Sequence, residues 1–189
     1  MSAKSKGTTA GRSTLLQRLR VPLGFAFGAI YVLFSNPQTS FLWPGLGIAL
    51  AGLSIRIWAS GHLRKHVDLS MSGPYRYTRN PLYLGSFVMG LGFTLASGRL
   101  WILLLFLALF LIVYLPVMSA EVHELEAWYG DRYRQYAGRV PLFIPSLRPA
   151  EPRTGARFSW AQVRSNREYN ALFGYLLLCL FLLVKRHFL

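Results

Sequence analysis

Polar chemistry in this 189-residue chain is concentrated in two short stretches, each beside a long apolar run. The first, Ser72 to Gly85 (S-G-P-Y-R-Y-T-R-N-P-L-Y-L-G), gathers three tyrosines, two arginines and an asparagine. Gly73-Pro74 marks a turn, and Pro81 suits the first turn of a helix. Asn80 is therefore expected to cap that helix, offering its side-chain oxygen to orphan N–H groups. Such residues can hydrogen-bond a polar ligand; they equally fit an interfacial aromatic belt with snorkelling arginines. The second stretch, Ser119 to Pro145, reads S-A-E-V-H-E-L-E-A-W-Y-G-D-R-Y-R-Q-Y-A-G-R-V-P-L-F-I-P. Its Glu121, Glu124 and Glu126 are three of the seven acidic residues in the chain. Carboxylates in a basic setting are candidate general bases or partners for a cationic ligand. The plainer reading is a surface helix with solvated charges. Leu125, Trp128, Tyr129, Tyr133 and Tyr136 predict an amphipathic helix on the membrane or on a helical bundle.

Other chemistries find less support. His62 and His66 are spaced i, i+4, yet no third ligand follows at metal-binding spacing, and no metal site is expected. The single cysteine, Cys179, lies in an apolar run, which excludes an internal disulfide and reads as packing. No P-loop, GxGxxG or Ser-His-Asp arrangement is present.

The elements that must position the two stretches are apolar and long. The chain is 53% hydrophobic, in uninterrupted runs rather than a period. The runs are Val21–Phe34, Phe41–Ser60, Leu82–Ser97, Leu100–Met118 and Ala171–Val184. They predict an all-α polytopic integral membrane bundle of about five spans, or four if the first lies at the interface. The third and fifth fall short of the roughly 20 residues a bilayer asks for, and flanking aromatics and basic residues are expected to extend them. Short connections at Asn36–Ser40 and Gly98–Arg99 predict two tight hairpins. The long connections, Gly61–Pro81 and Ser119–Asn170, then fall on the N-terminal side.

A net charge of +14 raises nucleic acid as a partner, but the basic residues flank apolar runs, and none is expected. The N-terminal arm carries Lys4, Lys6, Arg12, Arg18 and Arg20, and the first long loop Arg64, Lys65, Arg76 and Arg79. Eight more run from Arg132 to Arg167, against Arg99, Lys185 and Arg186 opposite. The positive-inside rule places the N-terminus and both long loops in the cytoplasm, with membrane lipids as surroundings. Arg56, within the second span and about a turn from its end, is expected to snorkel. The expected organisation is a basic disordered or interfacial arm (1–20), a first hairpin (21–60), a core holding both polar stretches (61–147), and a linker with a C-terminal span (148–189).

The pair G-P-Y-R-Y-T-R-N-P-L-Y and E-x-x-x-L-x-x-x-Y-G-x-x-Y-x-x-Y-x-x-R-V-P resembles the isoprenylcysteine carboxyl methyltransferases and their bacterial relatives. Phospholipid N-methyltransferases are similar in their C-terminal half. The resemblance covers about residues 60–147. It implies a pocket for S-adenosylmethionine, with S-adenosylhomocysteine as product, between membrane helices and the cytoplasmic connecting segments. It implies methyl transfer to a lipophilic acceptor. Carried over residue by residue, it makes Val67, Asp68, Leu69, Ser70, Tyr75, Asn80, Pro81, Leu82 and Tyr83 cofactor-lining. Glu121 becomes a partner for the cofactor's amino group, and Glu121 and Asn80 the candidate catalytic residues. Asn80 stands where many relatives have His; it cannot titrate, so acid–base work there is not expected. Val122 stands where relatives have a second glutamate, and Val117 where the eukaryotic enzymes have an arginine. Those two departures leave the acceptor open between a prenylated thiol compound, a phospholipid amine, a fatty or polyketide carboxylate and a small thiol. A non-enzymatic membrane module, or a reductase of related fold, is the alternative.

Overall fold

The structure is a computed structural model, and it describes residues 15–64, 68–150 and 156–188. Among these, seven α-helices and one 3-10 turn occur and no strand. The helices are α1 (Leu15–Phe34), α2 (Thr39–His62), α3 (Pro81–Ala96), α4 (Leu100–Tyr129), α5 (Asp131–Arg139), α6 (Trp160–Ser165) and α7 (Tyr169–Phe188). The 3-10 turn is Gly73–Arg76. Three helices, α2, α4 and α7, are long and apolar enough to cross a membrane, while Pro22–Phe34 and α3 are shorter apolar helices. The chain is thus a polytopic helical membrane bundle, its five expected spans resolving into three of full length and two shorter. The outer face of α7 (Phe173, Leu177, Leu180) stays exposed, as a lipid-facing surface does.

The tightest seam joins α2 and α3. Lipid tails are as apolar as leucine, so membrane helices associate by close packing, and small residues permit it. A Cβ on Gly52 would stand 2.3 Å from the Met89 amide nitrogen, and one on Gly92 would stand 2.3 Å from that of Ala49. Gly45 and Gly85 meet opposing backbone in the same way. Gly85 and Gly92 of the third span therefore close it against the second. Gly90 faces elsewhere, against the ring of Phe106.

The far end of the bundle is a closed core of Tyr31, Leu42, Leu46, Ala49, Phe93, Ala96, Ile102 and Leu182. There the Asn36 N–H donates to Ser97 O at 2.7 Å, joining the two hairpin turns. Lys185 Nζ donates to the Val32 and Leu33 carbonyls at 2.6 and 3.1 Å. It so satisfies orphan acceptors at the α1 C-terminus, where a cation is favoured.

The near end is where the two polar stretches lie. The fourth span does not stop at Met118 but continues as one helix to Tyr129, carrying Glu121, Glu124 and Glu126 on its extension. Gly130 (φ 53, ψ −129) makes the bend into α5, a conformation that favours glycine. Tyr133, Tyr136 and Val140 then pack with Leu69 in a second, smaller core. The following residues run beside 76–80 as a strap: Arg79 N–H donates to Pro141 O at 2.9 Å, Ser146 N–H to Tyr77 O at 2.9 Å, and Ala150 N–H to Arg76 O at 2.9 Å.

Candidate active site

A cavity of about 600 Å³ opens between α2, α3, α4, α5 and the loop at 68–80. That volume is in the range of small-molecule sites, about 300–1,000 Å³. Nine of the ten positions expected to line a cofactor border it: Asp68, Leu69, Ser70, Tyr75, Asn80, Pro81, Leu82, Tyr83 and Glu121. The tenth, Val67, lies outside the described residues, as does His66. Glu124 also borders the cavity, whereas His123 is exposed and does not.

The local geometry explains the convergence. Pro81 opens α3 after Asn80, and Tyr83 lies one residue-pair further in, facing α4. Tyr83 Oη donates to Glu121 Oε1 at 2.5 Å, pinning the third span to the fourth. Tyr83 also stands edge-on to Tyr114, with ring centroids 5.4 Å apart, at the start of an aromatic column through Phe110 and Phe87. Asn80 occupies the capping position, but its side chain makes no cap; its Nδ2 instead donates to Leu142 O at 3.0 Å. The strap offers a carbonyl at that point, one that also accepts from Thr78 Oγ1 at 3.3 Å, and draws the amide away from the helix. Asn80 therefore holds the cavity wall to the strap and shows no geometry for proton transfer.

The loop wall is fastened from two directions. The Tyr136 hydroxyl donates to Tyr75 O at 2.7 Å. Tyr75 is itself buried, and burial pushes its phenol well above the ordinary value. Tyr136, Glu121 and Glu168 act in the same direction, and Arg56 opposes them. The phenol is a neutral group at physiological pH, a donor rather than a base. Asp68 sits nearer solvent. Its hydrogen-bonded partner Arg132, 2.7 Å away, holds its carboxyl below the usual range, with the Leu69 N–H contributing.

Three bordering residues were not singled out from the sequence as parts of a site. Arg56 does not snorkel: Nε and Nη2 donate to the two carboxylate oxygens of Glu168 at 3.1 and 2.8 Å. Its Nη1 donates to the Ser86 hydroxyl. A buried carboxylate removed the need for the side chain to reach water, since an enclosed cation is held best by a bidentate partner. Glu168 is delivered by the segment before α7. Asn166 Nδ2 donates to the Ser60 and Leu63 carbonyls at 3.1 Å each, closing the α2 C-terminus, and Arg167 turns the chain with φ 57. A lone arginine in an apolar run and a lone glutamate just before another run were the available signal for this pair. Arg79 is the third. It borders the cavity, its Nη1 donates to Tyr133 Oη at 3.2 Å, and its buried Nε has no hydrogen-bond partner. Among the described residues, no group of three or more His, Cys, Asp or Glu side chains is placed to hold a metal.

The donor set suits a zwitterionic nucleoside. Carboxylate (Glu121, Glu124), guanidinium (Arg79), hydroxyl (Ser70) and flat apolar surface (Tyr114, Trp128) face one space. Arg79 Nε is a buried donor with no hydrogen-bond partner, an uncommon state in a native structure.

Comparison with known proteins agrees with this arrangement. Residues 51–132 match the phospholipid methyltransferase family. The chain is 31% identical over 135 residues to a protein-S-isoprenylcysteine O-methyltransferase of Schizosaccharomyces pombe, covering 68% of this chain and 56% of that one. It is 30% identical over 104 residues to the nickel-cobalt-cadmium resistance protein NccN of Alcaligenes xylosoxydans xylosoxydans, covering 54% of this chain and 48% of that one. The cobalt-zinc-cadmium resistance protein CzcN of Cupriavidus metallidurans is 31% identical over 104 residues, 54% of this chain and 47% of that one. The chain thus spans about half the length of the curated relatives it matches. No solved structure matches. Across its central helices the chain is similar to the phospholipid methyltransferase family, and over a longer stretch to the fission-yeast isoprenylcysteine O-methyltransferase.

Proposed function

We propose that this chain transfers a methyl group from S-adenosylmethionine to a lipophilic acceptor at the membrane. The observation that carries the reading is the convergence of residues 68–70, Tyr75, residues 80–83 and Glu121 on one cavity of suitable size, although they are far apart in sequence. The proposed catalytic unit is residues 61–147, completed by Arg56 from the first hairpin and Glu168 from the C-terminal segment. The cavity end is placed in the cytoplasm and the chain in the cytoplasmic membrane, on the strength of the lysine and arginine asymmetry.

S-adenosylmethionine arrives with its methyl group already activated on a sulfonium, so the cofactor supplies the reactive chemistry. What remains for the chain is to bind, orient and exclude water. Glu121, its carboxylate steadied by the Tyr83 hydroxyl, faces the cavity as the partner of an ammonium. Residues 68–70 and 80–83 frame the opposite walls. The apolar helices beyond Tyr114 and Met118 keep one side of the cavity dry. Where the acceptor is a carboxylate or thiolate, opposite charges cancel during transfer, and a water-poor wall favours that loss of charge. Holding both reactants in line supplies a large part of the rate. A protonated acceptor such as an amine needs a base as well; Glu121 and Glu124 border the cavity beside Asp68 and Glu168, which are paired with arginines.

The test is binding of S-adenosylhomocysteine to purified protein in detergent by calorimetry, together with incubation of membranes with radiolabelled S-adenosylmethionine. The expected result is saturable binding, much weakened by Tyr83→Ala and Glu121→Ala, and label in the lipid extract. No binding to the wild-type protein would sink the reading. Label appearing only in protein or in a volatile product would move the acceptor out of the lipid class.

A further inference from the structure

Each charge bordering the cavity can be asked what neutralises it, and for the exposed Arg64 and Glu124 the answer is water. Arg56 is answered by both oxygens of Glu168. Asp68 is answered by Arg132. Arg79 is different. It is partly buried, and among the described residues it forms no ion pair with a carboxylate. Its one side-chain hydrogen bond goes to a neutral phenol, Tyr133, whose ring also lies 6.0 Å beneath the guanidinium carbon. Its Nε is buried and unpartnered. Enclosing a guanidinium costs free energy unless its buried donors are met, and the buried Nε here has no acceptor. The side chain is nevertheless held in place. Its own N–H donates to Pro141 O, Thr78 Oγ1 donates to Phe143 O at 3.0 Å, and Asn80 Nδ2 donates to Leu142 O, so the strap immobilises both neighbours. Tyr133 is buried and set by its place in the small core. A positioned, under-satisfied guanidinium on a cavity wall is a preformed acceptor-binding fork.

The geometry points to Arg79 as the anchor for the carboxylate of the cofactor's amino-acid end, a role that rests on the methyltransferase reading. The carboxylate is assigned to the cofactor and not to the methyl acceptor because of where Arg79 stands. It is tied to α5 through Tyr133 and to the strap through Pro141, and it immediately precedes Asn80–Tyr83, the run expected to line the cofactor. Glu121 borders the same cavity, so an acidic and a basic side chain stand there for an ammonium and a carboxylate on the same α-carbon. Val117 and Val122 carry no charge that could take this role, although Val122 packs against the small core that sets Tyr133.

The test compares two nucleosides that differ only in the carboxylate: S-adenosylhomocysteine and its decarboxylated analogue, S-adenosyl-3-thiopropylamine. Binding of both to the full chain in detergent is measured for wild type, Arg79→Gln, Arg79→Lys and Tyr133→Phe. A charge-assisted fork is expected to show as a roughly 10- to 100-fold loss of S-adenosylhomocysteine affinity in Arg79→Gln. Affinity for the analogue should change by less than about threefold on the same scale, because its carboxylate is absent. Arg79→Lys keeps the charge, loses the fork and falls between. Tyr133→Phe leaves Arg79 intact and keeps the assignment testable if the arginine variants do not fold; it should lose a few-fold for S-adenosylhomocysteine alone. Equal losses for both nucleosides would show Arg79 to be structural and overturn the assignment. Unchanged S-adenosylhomocysteine affinity would overturn it as well. Failure of the wild-type protein to bind either nucleoside removes the methyltransferase reading itself, an outcome separate from either of these.

Discussion

Two walls of the cavity are fastened by ion pairs of nearly equal length and unequal setting. On the membrane wall, Arg56 and Glu168 meet at 2.8 Å with side chains 21% and 6% exposed. On the loop wall, Arg132 and Asp68 meet at 2.7 Å with side chains 52% and 49% exposed. The bond lengths do not distinguish the pairs, but the surroundings do. Near water, Coulomb attraction is screened and the pair is worth about 0–1 kcal/mol. Away from water each ion has lost its hydration, so the pair is worth little as a pair while either partner alone is very costly. The membrane wall is thus all-or-nothing, whereas the loop wall is adjustable. The contrast suits a cavity whose membrane side must exclude water and whose loop side must admit a polar ligand.

The largest effect should come from splitting the membrane pair. Glu168→Ala or Arg56→Ala is expected to destabilise the protein by about 3–5 kcal/mol, read as a drop in thermal midpoint in detergent. The double change Arg56→Leu with Glu168→Leu should recover most of that loss. Single changes costing no more than surface substitutions would erase the contrast between the walls.

A seam substitution comes next and serves as a control that touches neither pair. Gly52→Val puts a Cβ 2.3 Å from the Met89 amide, where only backbone can yield. A loss of about 1–3 kcal/mol is expected, measured by the same thermal midpoint. Tolerance of valine would mean that α2 and α3 are not sealed as described.

Tyr83→Phe separates binding from stability. It removes the donor to Glu121 but keeps the ring against Tyr114. Affinity for S-adenosylhomocysteine should fall about tenfold, consistent with losing a hydrogen bond to a charged group, while the thermal midpoint moves little. An unchanged affinity would detach Glu121 from the ligand.

The smallest effect belongs to the loop wall. Asp68→Asn should cost no more than about 1 kcal/mol, and the cost should shrink in high salt. The pH dependence has a definite sign. The folded-state carboxyl is held below its unfolded value, so its contribution is present above the ordinary aspartate range near about 3.9 and lost as pH falls further, through the folded value. A wild-type minus Asp68→Asn stability difference that grew on acidification would contradict this.

The apolar runs were legible because continuity and length are local properties. The hairpins at Asn36–Ser40 and Gly98–Arg99 followed from the same count. Boundaries were less so. Nothing local in Glu121–Tyr129 says whether its helix is new or the fourth span prolonged, because helix propensity is indifferent to where lipid ends. The structure prolongs the span. Asn80 shows a different limit. As a residue before Pro81 it reads as a cap, but the strap carbonyl at Leu142 competes for the amide and lies more than sixty positions away. Of the site, the two motif-bearing walls were readable and the third was not. Arg56 and Glu168 are 112 residues apart, and only packing of α2 against the segment before α7 brings them together.

The sequence by itself determined that this chain is a helical membrane protein, that its polar chemistry lies at one end, and which two stretches carry motifs resembling those of membrane methyltransferases. Hydrophobic length and short-range spacing suffice for those, since each is decided within a single helix or turn. Tertiary structure alone decided which charges are satisfied. It gave Arg56 a partner, turned Asn80 from its helix to the strap, closed Gly85 and Gly92 of α3 against α2, and left the Arg79 fork on the cavity wall short of acceptors. Whether a buried charge is a strut or a binding site depends on what stands within about 3 Å of it, and that is set by parts of the chain far away in sequence.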